Sequence, residues 1–218
     1  MENAATPWTW YIIRASALVG FLLLYISIFV GTVSGLPGIR RIFLRWRSLN
    51  FHCWISAQAL FFAAVHALSL LFDKTVHFSI AGILVPFTSV YHPALVALGT
   101  ISFYLIIALV LTSYSRRFFS YGFWRTLHFS NIFLYIFSII HAFYLGTDLK
   151  VGLLRQIFIF ANGFLLMLLL MSLAYRIWTR RKQREILGVI PENFNANLCQ
   201  SDNSLGQERN RENFRRRI

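Results

Sequence analysis

Residues 48–72 read SLNFHCWISAQALFFAAVHALSLLF, and residues 123–145 read FWRTLHFSNIFLYIFSIIHAFYL. Each is an apolar run of the length that crosses a hydrocarbon core, about 20 residues. Each also carries two histidines: His52 and His66 in the first, His128 and His141 in the second. An ionisable side chain inside such a run is costly and is a sign of function by default. The two runs therefore predict membrane-spanning helices with polar work to do.

Three further runs have the same character. Residues 10–33 stop at the Gly35-Leu36-Pro37-Gly38 turn, residues 93–114 open on a proline suited to a first helical turn, and residues 151–178 close on Trp178. Trp8, Trp10 and Tyr11 at one end of the first run, and Trp178 at the end of the last, are placed as interfacial anchors. The composition agrees. Of 218 residues 57% are hydrophobic and 13% charged, with a mean hydropathy of +0.58, where soluble domains carry about a quarter charged residues. The expected fold is an all-α membrane protein, a bundle of about five transmembrane helices. The expected organisation is an outer N-terminal segment (1–9), a membrane domain (10–178) and a basic tail (179–218). The tail is polar and rich in Asn and Arg beyond Leu187, and is expected to be disordered.

The formal net charge is +13, and its distribution is informative. Arg40, Arg41, Arg45 and Arg47 follow the first run; Arg116, Arg117 and Arg125 flank the turn after the third; Arg176, Arg180, Arg181, Lys182 and Arg184 follow the fifth. The connection 73–91 sets only Lys74 against Asp73, and the fourth holds Asp148, Lys150 and Arg155. By the positive-inside rule the N-terminus faces outward and the C-terminus lies in the cytoplasm, as expected for a multi-pass protein of a bacterial inner (plasma) membrane. The first run lacks the basic n-region and cleavage site of a signal peptide, so it is expected to be retained. A nucleic-acid partner is not expected, because no basic, aromatic-laced folded module is present. The two cysteines, Cys53 and Cys199, give no disulfide framework and no CxxC motif, and no Gly-rich phosphate loop occurs.

The histidines carry the chemistry. His52 and His128 lie about four and five residues into their runs, and His66 and His141 about 18. One complete crossing separates the two runs, so they are parallel, and the histidines fall at two matched depths. The separations of 14 and 13 residues correspond to ~21 and ~20 Å of helix. Facing imidazoles at equal depth are what a planar macrocycle with two axial positions requires, so each pair is read as the axial ligands of a haem iron. Angle fits less well. At ~100° per residue, 14 positions return within ~40° of one face, whereas 13 miss by ~140°. The fourth run must bend or deform, or its ligands must approach from different sides. Small residues (Ser56, Ala57, Ala63, Ala64 and Ala67; Ser130, Ser138 and Ala142) would let a porphyrin approach, and equally suit helix packing. His77 and His92 read as solvated loop histidines, and Cys53, ~100° away from His52, as packing.

At these residues the chain resembles the ferric reductase-like transmembrane domain family. Eukaryotic ferric reductases, NADPH oxidases and the bacterial haem-binding subunit of a methionine sulfoxide reductase system share that domain. The resemblance covers residues 10–178 and rests on the histidine pairs. It implies two b-type haems, the inner held by His52 and His128 and the outer by His66 and His141. It further implies electrons taken from a cytosolic flavoprotein and delivered outside. Arg14 resembles an arginine near the outer haem of NADPH oxidases, where it would pair with a propionate; an interfacial snorkelling arginine is the other reading. Two departures stand out. These 218 residues include no fused FAD/NADPH domain, so the expected donor is a separate flavin reductase or a quinol. Leu70 stands four residues after His66, where the oxidases place another histidine.

The expected function is a di-haem b-type cytochrome, an oxidoreductase subunit passing electrons to an outer acceptor such as ferric iron or a periplasmic reductase. Bis-histidine ligation fills both axial positions and favours outer-sphere electron transfer. The alternatives are a non-redox haem-binding sensor or assembly subunit, and a transporter or scaffold whose histidines relay protons.

Overall fold

The computed structural model describes residues 8–33, 49–73 and 76–189. The arginines at 40, 41, 45 and 47, Lys74, Cys199 and the tail beyond Val189 lie outside the described residues.

Seven α-helices occur among those residues: α1 (Trp8–Val33), α2 (Leu49–Ser69), the short α3 (Ile80–Leu84), α4 (Pro93–Tyr114), α5 (Tyr121–Phe129), α6 (Asn131–Leu145) and α7 (Leu153–Val189). The described residues contain no strand. Five helical stretches are long and apolar enough to cross a membrane: Trp8–Val33, Asn50–Phe72, Pro93–Tyr114, Tyr121–Leu145 and Leu153–Arg184. These are the five runs read from the sequence, with ends shifted by a few residues. The chain divides into two compact units, residues 1–170 and 171–218.

In the first unit α1 packs on α2, α2 on α4, and α4 on α6. Small residues make this possible. Ser16, Gly20, Leu24, Ser27, Ile28 and Thr32 form one buried stripe along α1. A β-carbon on Gly20 would meet Phe62 Cβ at 3.4 Å and the backbone nitrogen of Ala63 at 3.5 Å, the close approach that small residues permit between membrane helices. Leu24, Ile28, Ala59, Ile106, Leu109, Leu134, Tyr135 and Leu165 fill the interior. Phe61, Leu68, Phe133, Phe160 and Leu166 point outward and are exposed, a surface that a hydrocarbon surround satisfies and water does not. Hydroxyls inside the stretches turn back on their own helices: Ser16 Oγ donates to Ile12 O and Thr32 Oγ1 to Ile28 O, which removes the cost of an unpaired donor. Midway along, Tyr135 Oη donates to Asn162 Oδ1 at 2.5 Å and Tyr25 Oη to Ala161 O at 3.2 Å. These bonds tie the first half of α7 to α6 and α1.

The fourth stretch is interrupted. Ser130 closes α5 and opens α6, and its N–H bonds three residues back to Leu127 O at 2.9 Å, a tighter turn than the α-helical four. The break falls between His128 and His141.

In the second unit the helix runs on beyond Trp178 to Val189, so the expected disordered tail from 179 is corrected over residues 179–189. The cause is local. Arg180 to Leu187 are mostly good helix formers, with no Gly before Gly188 and no Pro before Pro191. Lys182 Nζ lies 5.4 Å from the ring centre of Trp178 one turn earlier.

Candidate functional site

Three of the four histidines are positioned by a neighbour that fixes the proton. His66 Nδ1 lies 3.0 Å from the carbonyl oxygen of Ile13 on α1, and His141 Nδ1 lies 2.8 Å from that of Leu95 on α4. A carbonyl only accepts, so each Nδ1 carries the hydrogen. In the neutral ring Nε2 is then left with its lone pair free.

His52 reaches the same state through two serines. Its Nδ1 is 3.2 Å from Ser27 Oγ, which is 2.8 Å from Ser56 Oγ, and Ser56 Oγ donates to His52 O at 2.9 Å. Each hydroxyl has one proton. Ser56 gives its own to the carbonyl, so Ser27 gives its own to Ser56, and His52 Nδ1–H donates to Ser27. Nε2 of His52 is again the free nitrogen. His128 differs. Its Nδ1 is buried with no hydrogen-bond partner among the described residues, and its ring is held by stacking on Trp124, centre to centre 5.1 Å at 21°.

The rings meet across the bundle. His52 and His128 have ring centres 6.2 Å apart with planes at 73°. A β-carbon on Gly99 would stand 2.5 Å from Cε1 and 2.7 Å from Nδ1 of His141, so only glycine lets that ring rest on α4. The helices that carry the four residues, α2 and α5–α6, lean chiefly on α1 and α4.

Do these residues fit a haem? A metal held by an imidazole nitrogen sits about 2 Å from it, and that nitrogen lies about 1 Å from its ring centre, so two rings sharing one metal have centres about 6 Å apart. The His52–His128 separation of 6.2 Å matches. Among the described residues no group of three or more His, Cys, Asp or Glu could hold a bare metal ion. Two imidazoles suffice only for a metal whose remaining ligands come with it, as in a porphyrin. The donor set fits.

Arg14 has protein partners. Its Nε donates to Asp148 Oδ2 at 2.7 Å, its Nη2 forms an ion pair with Asp148 Oδ1, and its guanidinium carbon stands 3.9 Å over the Trp10 ring. The pair joins the start of α1 to the 3₁₀ turn Thr147–Leu149 after α6. The beginning of α1 and the end of α6 therefore lie on one side, as parallel second and fourth stretches demand. His77 and His92 are exposed, and Cys53 is half-buried with a free thiol.

Sequence reasoning missed Ser27, Gly99, Trp124 and Asp148, and the carbonyls of Ile13 and Leu95. Backbone carbonyls leave no trace in a sequence, and a serine or glycine in an apolar run has many ordinary uses. Asp148 had a signal: it is an acidic residue at the same end of the bundle as Arg14.

No family model, curated protein or solved structure matches the chain.

Proposed function

We propose that this protein is a membrane-bound di-haem b-type cytochrome that carries electrons across the bilayer. Its donor is a separate flavoprotein or quinol, and its acceptor lies on the opposite face. The observation that carries this reading is the common state of His52, His66 and His141. Each is a neutral-type imidazole whose Nδ1 proton is committed to a neighbour and whose Nε2 is left to ligate, which is how metal-bound histidines are held.

His52 and His128 would hold one haem, and His66 and His141 the other. Bound there, haem supplies a one-electron carrier at each of two depths. The chain does the rest. Ser27 and the carbonyls of Ile13 and Leu95 hold the rings in orientation, and their acceptance of the Nδ1 protons makes the ligand nitrogens more basic. Leu24, Ile28, Leu134 and their neighbours exclude water between the two levels. By the arginine distribution the His52/His128 pair faces the cytoplasm, where Arg116, Arg117 and Arg125 can steer an acidic donor. The ferric reductase-like resemblance points the same way, and ferric iron or a periplasmic reductase is the acceptor class it implies.

The test is spectroscopic. Purified protein should show the absorption bands of low-spin b-type haem, should stay oxidised with NADPH alone, and should be reduced when a flavin reductase is added. Protein that binds haem but accepts no electrons from flavoprotein or quinol would be the sensor or assembly subunit instead.

A further inference from the structure

The connection between the second and third spanning stretches has the composition of a buried element. Residues 80–87 read IAGILVPF, yet Ile80, Leu84, Val85 and Phe87 are exposed, from 42% for Leu84 to 66% for Phe87. The chain turns at three non-glycine residues with positive φ, His77 (51°), Phe87 (70°) and His92 (42°). The outer two are exposed histidines at either end of the segment.

Its depth is fixed by two side chains of α4. Thr100 Oγ1 donates to Ile83 O at 2.7 Å, and Tyr104 Oη donates to Leu84 O at 2.6 Å. Thr100 stands seven residues beyond Pro93, so Ile83 lies about 10 Å down the helix from its start. The hydrocarbon core that α4 would cross is about 30 Å thick. The segment thus reaches roughly a third of the way in.

Irregular backbone at that depth must have its polar groups satisfied within the protein, and here the carbonyls of residues 81 and 83–85 are. Ser79 Oγ accepts from Gly82 N at 3.0 Å, and Thr88 Oγ1 is 2.8 Å from both Ala81 O and Val85 O. Val85 N–H donates to Ala81 O at 2.8 Å, which leaves the single Thr88 hydroxyl proton for Val85 O. With the two α4 hydroxyls, the carbonyls of Ala81, Ile83, Leu84 and Val85 all have donors, and Pro86 has no N–H to leave unpaired. A water-exposed loop needs none of this.

We propose that residues 78–91 form a re-entrant membrane segment, with Ile80, Leu84, Val85 and Phe87 in contact with lipid acyl chains. The segment is bonded to Thr100, the neighbour in sequence of the Gly99 on which His141 rests. The proposal depends on α4 crossing the bilayer but not on haem.

Nitroxide labels on single cysteines test it, in the full chain with Cys53→Ser and Cys199→Ser, reconstituted in phosphatidylcholine vesicles. Leu84→Cys and Val85→Cys are compared with Phe61→Cys, at the centre of the second stretch and exposed. The expected result is relaxation by oxygen and shielding from a water-soluble nickel chelate at all three sites. Adding Thr100→Val should raise nickel access at position 84 and leave position 61 unchanged. Nickel access at 84 and 85 with 61 shielded would overturn the re-entrant segment alone. Nickel access at 61 as well would overturn the spanning reading, and the proposal with it. Shielding of 84 and 85 from both reagents would overturn the lipid contact in favour of a protein cover.

Discussion

The imidazole of His141 rests directly on Gly99, with no room between them for a methyl group. Gly99→Ala would place a carbon 2.5 Å from Cε1, so the ring or the helix must move. The expected outcome is loss of one of two haems, with the His52/His128 site intact. Gly163→Ala is the comparison, since nothing lies within 4 Å of a β-carbon there. Redox titration of both variants checks this: one of two components should vanish in the first and neither in the second. Two unaltered components in Gly99→Ala would separate His141 from haem ligation.

Ser27 holds the Nδ1 proton of His52 in the proton count above. Ser27→Ala should leave that donor without its acceptor and weaken haem retention at this level by roughly 10-fold or more. The retention rate during transfer to apomyoglobin measures it. Equal loss from both haem levels would contradict the assignment.

The Arg14–Asp148 pair is partly buried, with side chains 29% and 19% exposed. Removing one partner should cost about 1–3 kcal/mol. In a thermal-unfolding cycle, Arg14→Gln with Asp148→Asn should lose less than the two single losses added. Additive losses would mean that the pair does not act as a unit, and would return Arg14 to the propionate reading.

The spans were legible because run length gives the crossing, and the nearness of His52 to His128 because matched depth follows from spacing along one chain. Arg14 and Asp148 are 134 residues apart, and no local period connects such a pair. Residues 78–91 looked like an ordinary loop because their depth is set by Thr100 and Tyr104, hydroxyls whose direction a sequence does not reveal. The helix beyond Trp178 was overlooked because its residues are charged, although charge does not oppose helix formation.

The proposed orientation rests on the distribution of arginines. With Cys53→Ser and Cys199→Ser, an impermeant maleimide applied to intact cells should label Ala4→Cys and spare Leu205→Cys. Labelling at position 205 from outside would invert the topology and exchange donor and acceptor faces.

The most direct measurement is the haem content of the purified chain. Pyridine haemochrome assay against protein concentration should give two b-type haems per chain, falling to one in His66→Ala or His141→Ala and likewise to one in His52→Ala or His128→Ala. A ratio of one in the unaltered protein, or a ratio that ignores these substitutions, would contradict the two-pair account.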